Sequence, residues 1–149
     1  MKKIKTADCV LCYTLLKDAS LKGMDNLSKF AVIKLTKAFK DIANDFESFK
    51  ADAVERLKDE NFDAMCDKAQ KWQSEGDKCE YSNEEKVAIN QYFADYKKSI
   101  AECVKEEAEK ENDVEFNPLS EKQFEALINA NENWNVEQII MLDECVNVN

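Results

Sequence analysis

Cys9-Val10-Leu11-Cys12 is the one spacing in this chain with recognisable chemical potential, because two cysteines three positions apart turn their sulfurs toward a common point. Such a pair serves as a redox couple or as half of a zinc site. A thioredoxin-like couple needs a preceding strand in a βαβ setting, which the surrounding sequence does not offer. A structural zinc needs two further ligands, yet Cys66, Cys79, Cys103 and Cys145 stand alone and no second CxxC occurs. The thiols are therefore expected to be reduced, free of metal, and used as small apolar side chains on helix faces. The chain has no histidine, which removes Ser-His-Asp and Cys-His catalysis and the histidine-based zinc and di-iron sites.

Carboxylates are abundant, but Glu84 with Glu85 and Glu106 with Glu107 are neighbours in sequence. On a helix such neighbours point about 100° apart and share no site. Phe39, Phe46, Phe49 and Phe93 recur at core spacing and are read as packing groups rather than the lining of a ligand pocket. No acid, base and nucleophile can be brought together, so the chain is expected to be non-enzymatic, with no cofactor and no small-molecule substrate.

Two glycines (Gly23, Gly76) and one proline (Pro118) among 149 residues, 44% of them hydrophobic, favour one all-α domain over residues 1–149. Ala7, Val10, Leu11 and Leu15 mark one face of a short first helix, with Cys12, Leu16 and Ala19 beside it, within an N-terminal segment 1–24. Asp25 or Asn26 then caps a long helix. Its seam of Leu35, Phe39, Ile42, Phe46, Phe49 and Ala53 alternates spacings of four and three. The phase slips between Leu57 and Phe62, where a kink or break is expected. Phe62, Met65, Cys66, Ala69 and Trp72 resume the stripe as far as Ser74–Asp77. Ser82 with Glu85 opens the next helix, whose seam is Ile89, Phe93, Tyr96, Ile100 and Cys103. Two matched seams predict a long antiparallel hairpin over 25–111.

An extended linker, 112–118, follows, with Val114 and Phe116 as anchors. Leu119-Ser120-Glu121-Lys122-Gln123-Phe124 and Trp134-Asn135-Val136-Glu137-Gln138-Ile139 each combine a capping box with a hydrophobic staple. They predict two short helices, roughly 120–130 and 136–146, in a C-terminal module 119–149. Helices of about ten residues are marginal in water unless their apolar faces are covered. Phe124, Leu127, Ile128, Trp134, Ile139, Ile140 and Leu142 offer more apolar surface than two such helices can hide on each other. They are therefore expected to dock on the hairpin or to form the partner-binding surface.

Charge is uneven. Residues 1–40 carry nine lysines and three aspartates, a balance of +6, so the net charge of −10 leaves −16 for the rest. The acidity, and Arg56 as sole arginine, argue against nucleic acid. No apolar run is long enough for a membrane span, and no signal peptide is read at the start.

The layout resembles a group of small helical proteins encoded in tailed-phage and prophage genomes. The likeness rests on Met1-Lys2-Lys3-Ile4-Lys5, Val10-Leu11-Cys12-Tyr13-Thr14-Leu15-Leu16, Leu27-Ser28-Lys29-Phe30, and the long helix through Phe46. It continues in the tail, with Phe116-Asn117-Pro118-Leu119-Ser120, Phe124-Glu125-Ala126-Leu127-Ile128 and Val136-Glu137-Gln138-Ile139-Ile140. The resemblance implies an accessory, assembly or minor structural protein of a phage or mobile element, in the host cytoplasm or with the virion. It would act by binding a protein partner or itself. The alternative expectation is an intracellular regulator that inhibits a host protein through its acidic surface.

Overall fold

A computed structural model describes residues 1–147. The chain is mainly helical, with β1 (Lys2–Lys5), α1 (Thr6–Lys17), α2 (Asn26–Arg56), α3 (Phe62–Glu75), a 3-10 turn (Gly76–Lys78), α4 (Asn83–Ala108), β2 (Glu111–Val114), α5 (Glu121–Ala130) and α6 (Val136–Val146). Among the described residues no helix is long and apolar enough to cross a membrane. The break expected after Leu57 separates α2 from α3. There the Asp59 carboxylate accepts from the Asn61 N–H at 3.0 Å, and the Asp59 carbonyl accepts from the Phe62 N–H at 3.2 Å. Gly76 ends α3 at φ +55°, a left-handed conformation that a side chain would strain.

The expected all-α class holds in the main, and the structure adds to it a small two-stranded antiparallel sheet. β1 and β2 pair in the register Lys2↔Val114, Lys3↔Asp113, Ile4↔Asn112 and Lys5↔Glu111. Thus the first half of the expected linker is a strand, and so is the lysine-rich start. Ile4 and Val114 turn inward and are buried. Asn112 fixes the register: its Nδ2 donates to the Ile4 carbonyl at 3.2 Å and to the Thr6 hydroxyl at 2.9 Å. β1 runs directly into α1, whose first N–H, that of Thr6, is satisfied by the Lys110 carbonyl at 2.9 Å.

The chain divides into two compact units. Unit 1 combines Met1–Ser48 with the segment from Glu107 onward. Its core gathers Ile4, Cys9, Cys12, Leu16, Val32, Leu35, Phe39, Val114, Leu119, Leu127, Leu142 and Val146. The buried stripe of α1 is Thr6, Cys9, Cys12 and Leu16, whereas Leu11 is 50% exposed. The helix is rotated from the expected Ala7, Val10, Leu11 and Leu15 face because α1 is apolar nearly all round, so hydrophobic period could not choose its inner side. α5 and α6 begin with both reciprocal capping boxes: Ser120 with Gln123, at 3.2 and 3.0 Å, and Asn135 with Gln138, at 2.8 and 3.0 Å. Phe116 packs on the core with its ring 5.9 Å from that of Phe39, holding the segment that leads into α5.

Unit 2, Phe49–Glu106, is more thinly packed. Only Ala53, Cys79 and Ile89 are buried there, and α3 contributes no buried residue. Cohesion comes from aromatic contacts, with Phe62 centred 5.0 Å from Tyr96 and 6.2 Å from Phe93, edge-on to the latter. The Tyr96 hydroxyl donates to the Val54 carbonyl, and the Tyr92 hydroxyl donates to Asp59, which pushes the phenol up to about 12. Few buried apolar groups mean a low free energy of local opening. Amides of α3 and α4 up to Glu106 are expected to exchange at least about tenfold faster than those of α1, a difference of ~1.4 kcal/mol. Residue-resolved hydrogen exchange showing equal protection across both units would contradict this.

Candidate functional site

α2 begins at a cap built by Asp25, whose carboxylate accepts from the Ser28 N–H at 2.7 Å. The Ser28 hydroxyl and N–H together hold the Asp25 carboxyl below its usual range. A depressed carboxyl stabilises the fold above its unfolded pKa, and this contribution is lost as pH falls through the folded value. From that cap the helix turns Val32, Leu35 and Phe39 into the core of unit 1 and leaves a second, outward apolar row. Leu27 is 77% exposed, Phe30 62% and Ile33 41%. At helical spacing these three interleave on one face with Lys34, Lys37 and Lys40, all exposed. No acidic side chain occurs between Asp25 and Asp41, in a chain with 31 acids. Among the described residues Lys34, Lys37 and Lys40 form no ion pair.

Beside this row lies a groove of about 520 Å³. Leu27, Phe30, Ala31 and Lys34 form one wall, and Glu115–Pro118 with Gln123 of α5 form the other. The Phe116 anchor on Phe39 sets the width, and the pairing of β1 with β2 delivers the chain to that point. The lining holds an ammonium, a carboxylate and two amides, those of Asn117 and Gln123, but no thiol or hydroxyl nucleophile. Its surface suits a side-chain-sized apolar knob with an anionic neighbour rather than a reaction.

The residues expected to meet a partner are placed differently from one another. Leu127 and Leu142 are fully buried in the unit 1 core, and Phe124 and Trp134 pack against it. Ile128 and Ile139 are half-buried, and Ile140 is 53% exposed. The face serves mainly as core; Phe124 and Ile128 also line a hollow of about 390 Å³ with Pro118 and Leu119. The acid-free lysine stretch around Leu27, Phe30 and Ile33 is legible in the sequence, but the exposure of the row is not, because the regular seam beginning at Leu35 lies on the opposite side of the same helix.

Cys9 and Cys12 are buried on α1 and face α6, where Cys145 joins them. Among the described residues no group of cysteines and carboxylates is arranged to hold a metal ion. Comparison with protein-family models, curated proteins and solved structures finds no match.

Proposed function

We propose that this chain is a non-catalytic protein-interaction protein whose docking face is the outward row of α2 with the adjoining groove, and that its occupant is an acidic amphipathic segment of a partner protein. The observation that carries the reading is the interleaving of Leu27, Phe30 and Ile33 with Lys34, Lys37 and Lys40 on a helix stretch that holds no acid between Asp25 and Asp41, with Glu115 on the far wall of the groove as the carboxylate in its lining. A partner helix with leucine-type side chains beside glutamates would cover the exposed apolar groups and neutralise the ammonium groups in one contact. The −16 carried by residues 41–149 disfavours an anionic bilayer, and the row offers no arginine to grip phosphate. Within unit 2, the contacts of Tyr92 with Asp59, just past α2, and of Tyr96 with Val54 run in opposite senses along the two segments and support an antiparallel run of α4 along the end of α2 as the scaffold. The phage-like layout supports a role as an accessory, assembly or minor structural component of a phage or mobile element.

The test uses the full chain and a synthetic helical peptide patterned with leucine and glutamate, read by fluorescence anisotropy and by amide shift mapping. Binding is expected on residues 27–40 and around Phe116, weakening as salt rises. Phe30→Asp is expected to weaken it at least about tenfold, equivalent to ~1.4 kcal/mol. A charge-swapped lysine peptide should fail on the native chain and bind the Lys34→Glu/Lys37→Glu variant. Shifts confined to another surface, equal binding of both peptides, or occupation of the row by a second copy in sedimentation experiments would each overturn the assignment.

A further inference from the structure

Four sulfur-bearing side chains converge where α1 meets α6. Cys9 and Cys12 are fully buried on one face of α1. The Cys12 thiol donates to the Met141 sulfur at 3.7 Å. Cys145 is one helical turn beyond Met141 on the same face of α6 and is buried in the same core as Cys12, which places the two thiols in one contact between α1 and α6. Of the three cysteines, Cys145, 6% exposed, is the one that reaches solvent, beside the half-buried Met141. Cys145 lines a cleft of about 260 Å³ together with the lysines Lys2, Lys3 and Lys5 and the acids Asp8, Glu111 and Glu144.

We infer that Cys12 and Cys145 are a redox-sensitive dithiol, in which a hydroperoxide oxidises Cys145 from the cleft and Cys12 then closes a disulfide between α1 and α6. Access divides the two roles: Cys145 borders the cleft, whereas Cys12 is fully enclosed. The neighbouring Cys12 thiol and, more weakly, the Lys2 ammonium hold the Cys145 thiol below its ordinary range, against burial and the Asp8 and Glu144 carboxylates. Lys2 also donates to the Glu144 and Asn147 carbonyls, offsetting the negative end of α6 that would otherwise oppose a thiolate there. The Cys145 thiol and then burial push Cys12 upward, and burial raises Cys9 to about 12, so these two stay protonated and closed to the cleft.

In the first step the Cys145 thiolate attacks one peroxide oxygen; an S–O bond forms, the O–O bond breaks, and the departing hydroxide takes a proton to become water. Cys145 is then a sulfenic acid, its sulfur oxidised by two electrons and the peroxide reduced. In the second step the Cys12 sulfur attacks that of Cys145; the S–S bond forms, the S–O bond breaks, and the hydroxyl leaves with the Cys12 proton as a second water. The product ties together helices from opposite ends of the sequence and restricts the unfolded chain over nearly its whole length, so the oxidised form should melt at a higher temperature.

The experiment treats the folded full-length chain with equimolar hydrogen peroxide and maps peptides without reduction. The expected product is a Cys12–Cys145 cross-link lacking two hydrogens. Cys12→Ser should stop the sequence at a Cys145 sulfenic acid that dimedone captures, Cys145→Ser should abolish the cross-link, and Cys9→Ser should leave its rate within about twofold. Circular dichroism checks that each variant folds; if one does not, the native chain's peptide map decides alone. The inference is overturned if the dominant disulfide contains Cys9, if Cys66 or Cys103 is consumed while Cys145 stays reduced, or if pairing is equally selective in guanidinium.

Discussion

A chain ended at Asn117 is expected to lose cooperative melting altogether, because the deleted segment supplies Leu119, Leu127, Leu142, Cys145 and Val146 to the unit 1 core. Truncating a buried leucine to alanine costs about 2–5 kcal/mol, so the three leucines alone approach or exceed the roughly 5–15 kcal/mol that holds an ordinary domain together. The deletion also exposes the partners of those side chains on α1 and α2, including Cys12 and Leu35. Thermal circular dichroism should show a broad, shallow transition with part of the helical signal remaining. A single sharp melt within a few degrees of the intact chain would mean that α5 and α6 are dispensable to the core. Leu127→Ala is the graded version: a loss of ~3 kcal/mol is expected, a fall of roughly 6–12 °C in the midpoint for a chain of this size.

That the tail docks was readable because its signals are local. Ser120 with Gln123 and Asn135 with Gln138 announce two helix starts within four residues each, and the apolar residues behind them outnumber what a helix pair can cover. The break near Asp59 and the stop at Gly76 were legible for the same reason: a phase slip and a turn residue act where they stand. β1 was not legible. Lys2–Lys5 contains one inward apolar residue, Ile4, so no alternation can establish itself over four positions. What makes it a strand is Glu111–Val114, more than a hundred residues away, and the Asn112 amide that fixes the register. The outward row of α2 was hidden differently. Leu27, Phe30 and Ile33 read as ordinary helix residues, and only the burial of Val32, Leu35 and Phe39 on the other side shows that they are left uncovered. The clustering of Cys145 with Cys9 and Cys12 likewise needs the meeting of α1 and α6, which no spacing in the sequence encodes.

Asn131 is a second point where a long-range contact replaces a local signal, and its substitution should have an effect nearly as large as that of Leu127. The side chain is 5% exposed and makes three hydrogen bonds: Oδ1 accepts from the Ser20 N–H at 2.8 Å, while Nδ2 donates to the Ser20 carbonyl and to the Leu127 carbonyl, both at 2.9 Å. It thereby closes the end of α5 and fastens it to the turn after α1. Asn131→Leu keeps similar bulk but strands the Leu127 carbonyl without its donor, and a loss of ~2–3 kcal/mol is expected. Asn131→Asp separates hydrogen bonding from shape. Its ionised carboxylate would face two carbonyl oxygens with no proton to offer them, so the folded state should hold the proton more tightly than the unfolded chain, where an aspartate titrates near about 3.9. Over the interval between those two pKa values the native state binds more protons than the unfolded one, and stability therefore falls as pH rises. Asn131→Asp should stand close to the native chain at the acid end of that interval and be more destabilised than Asn131→Leu at pH 7. Urea titrations of the three proteins at matched pH decide the matter: a deficit of the aspartate variant that stays constant with pH would show that this side chain does not donate to the Ser20 and Leu127 carbonyls.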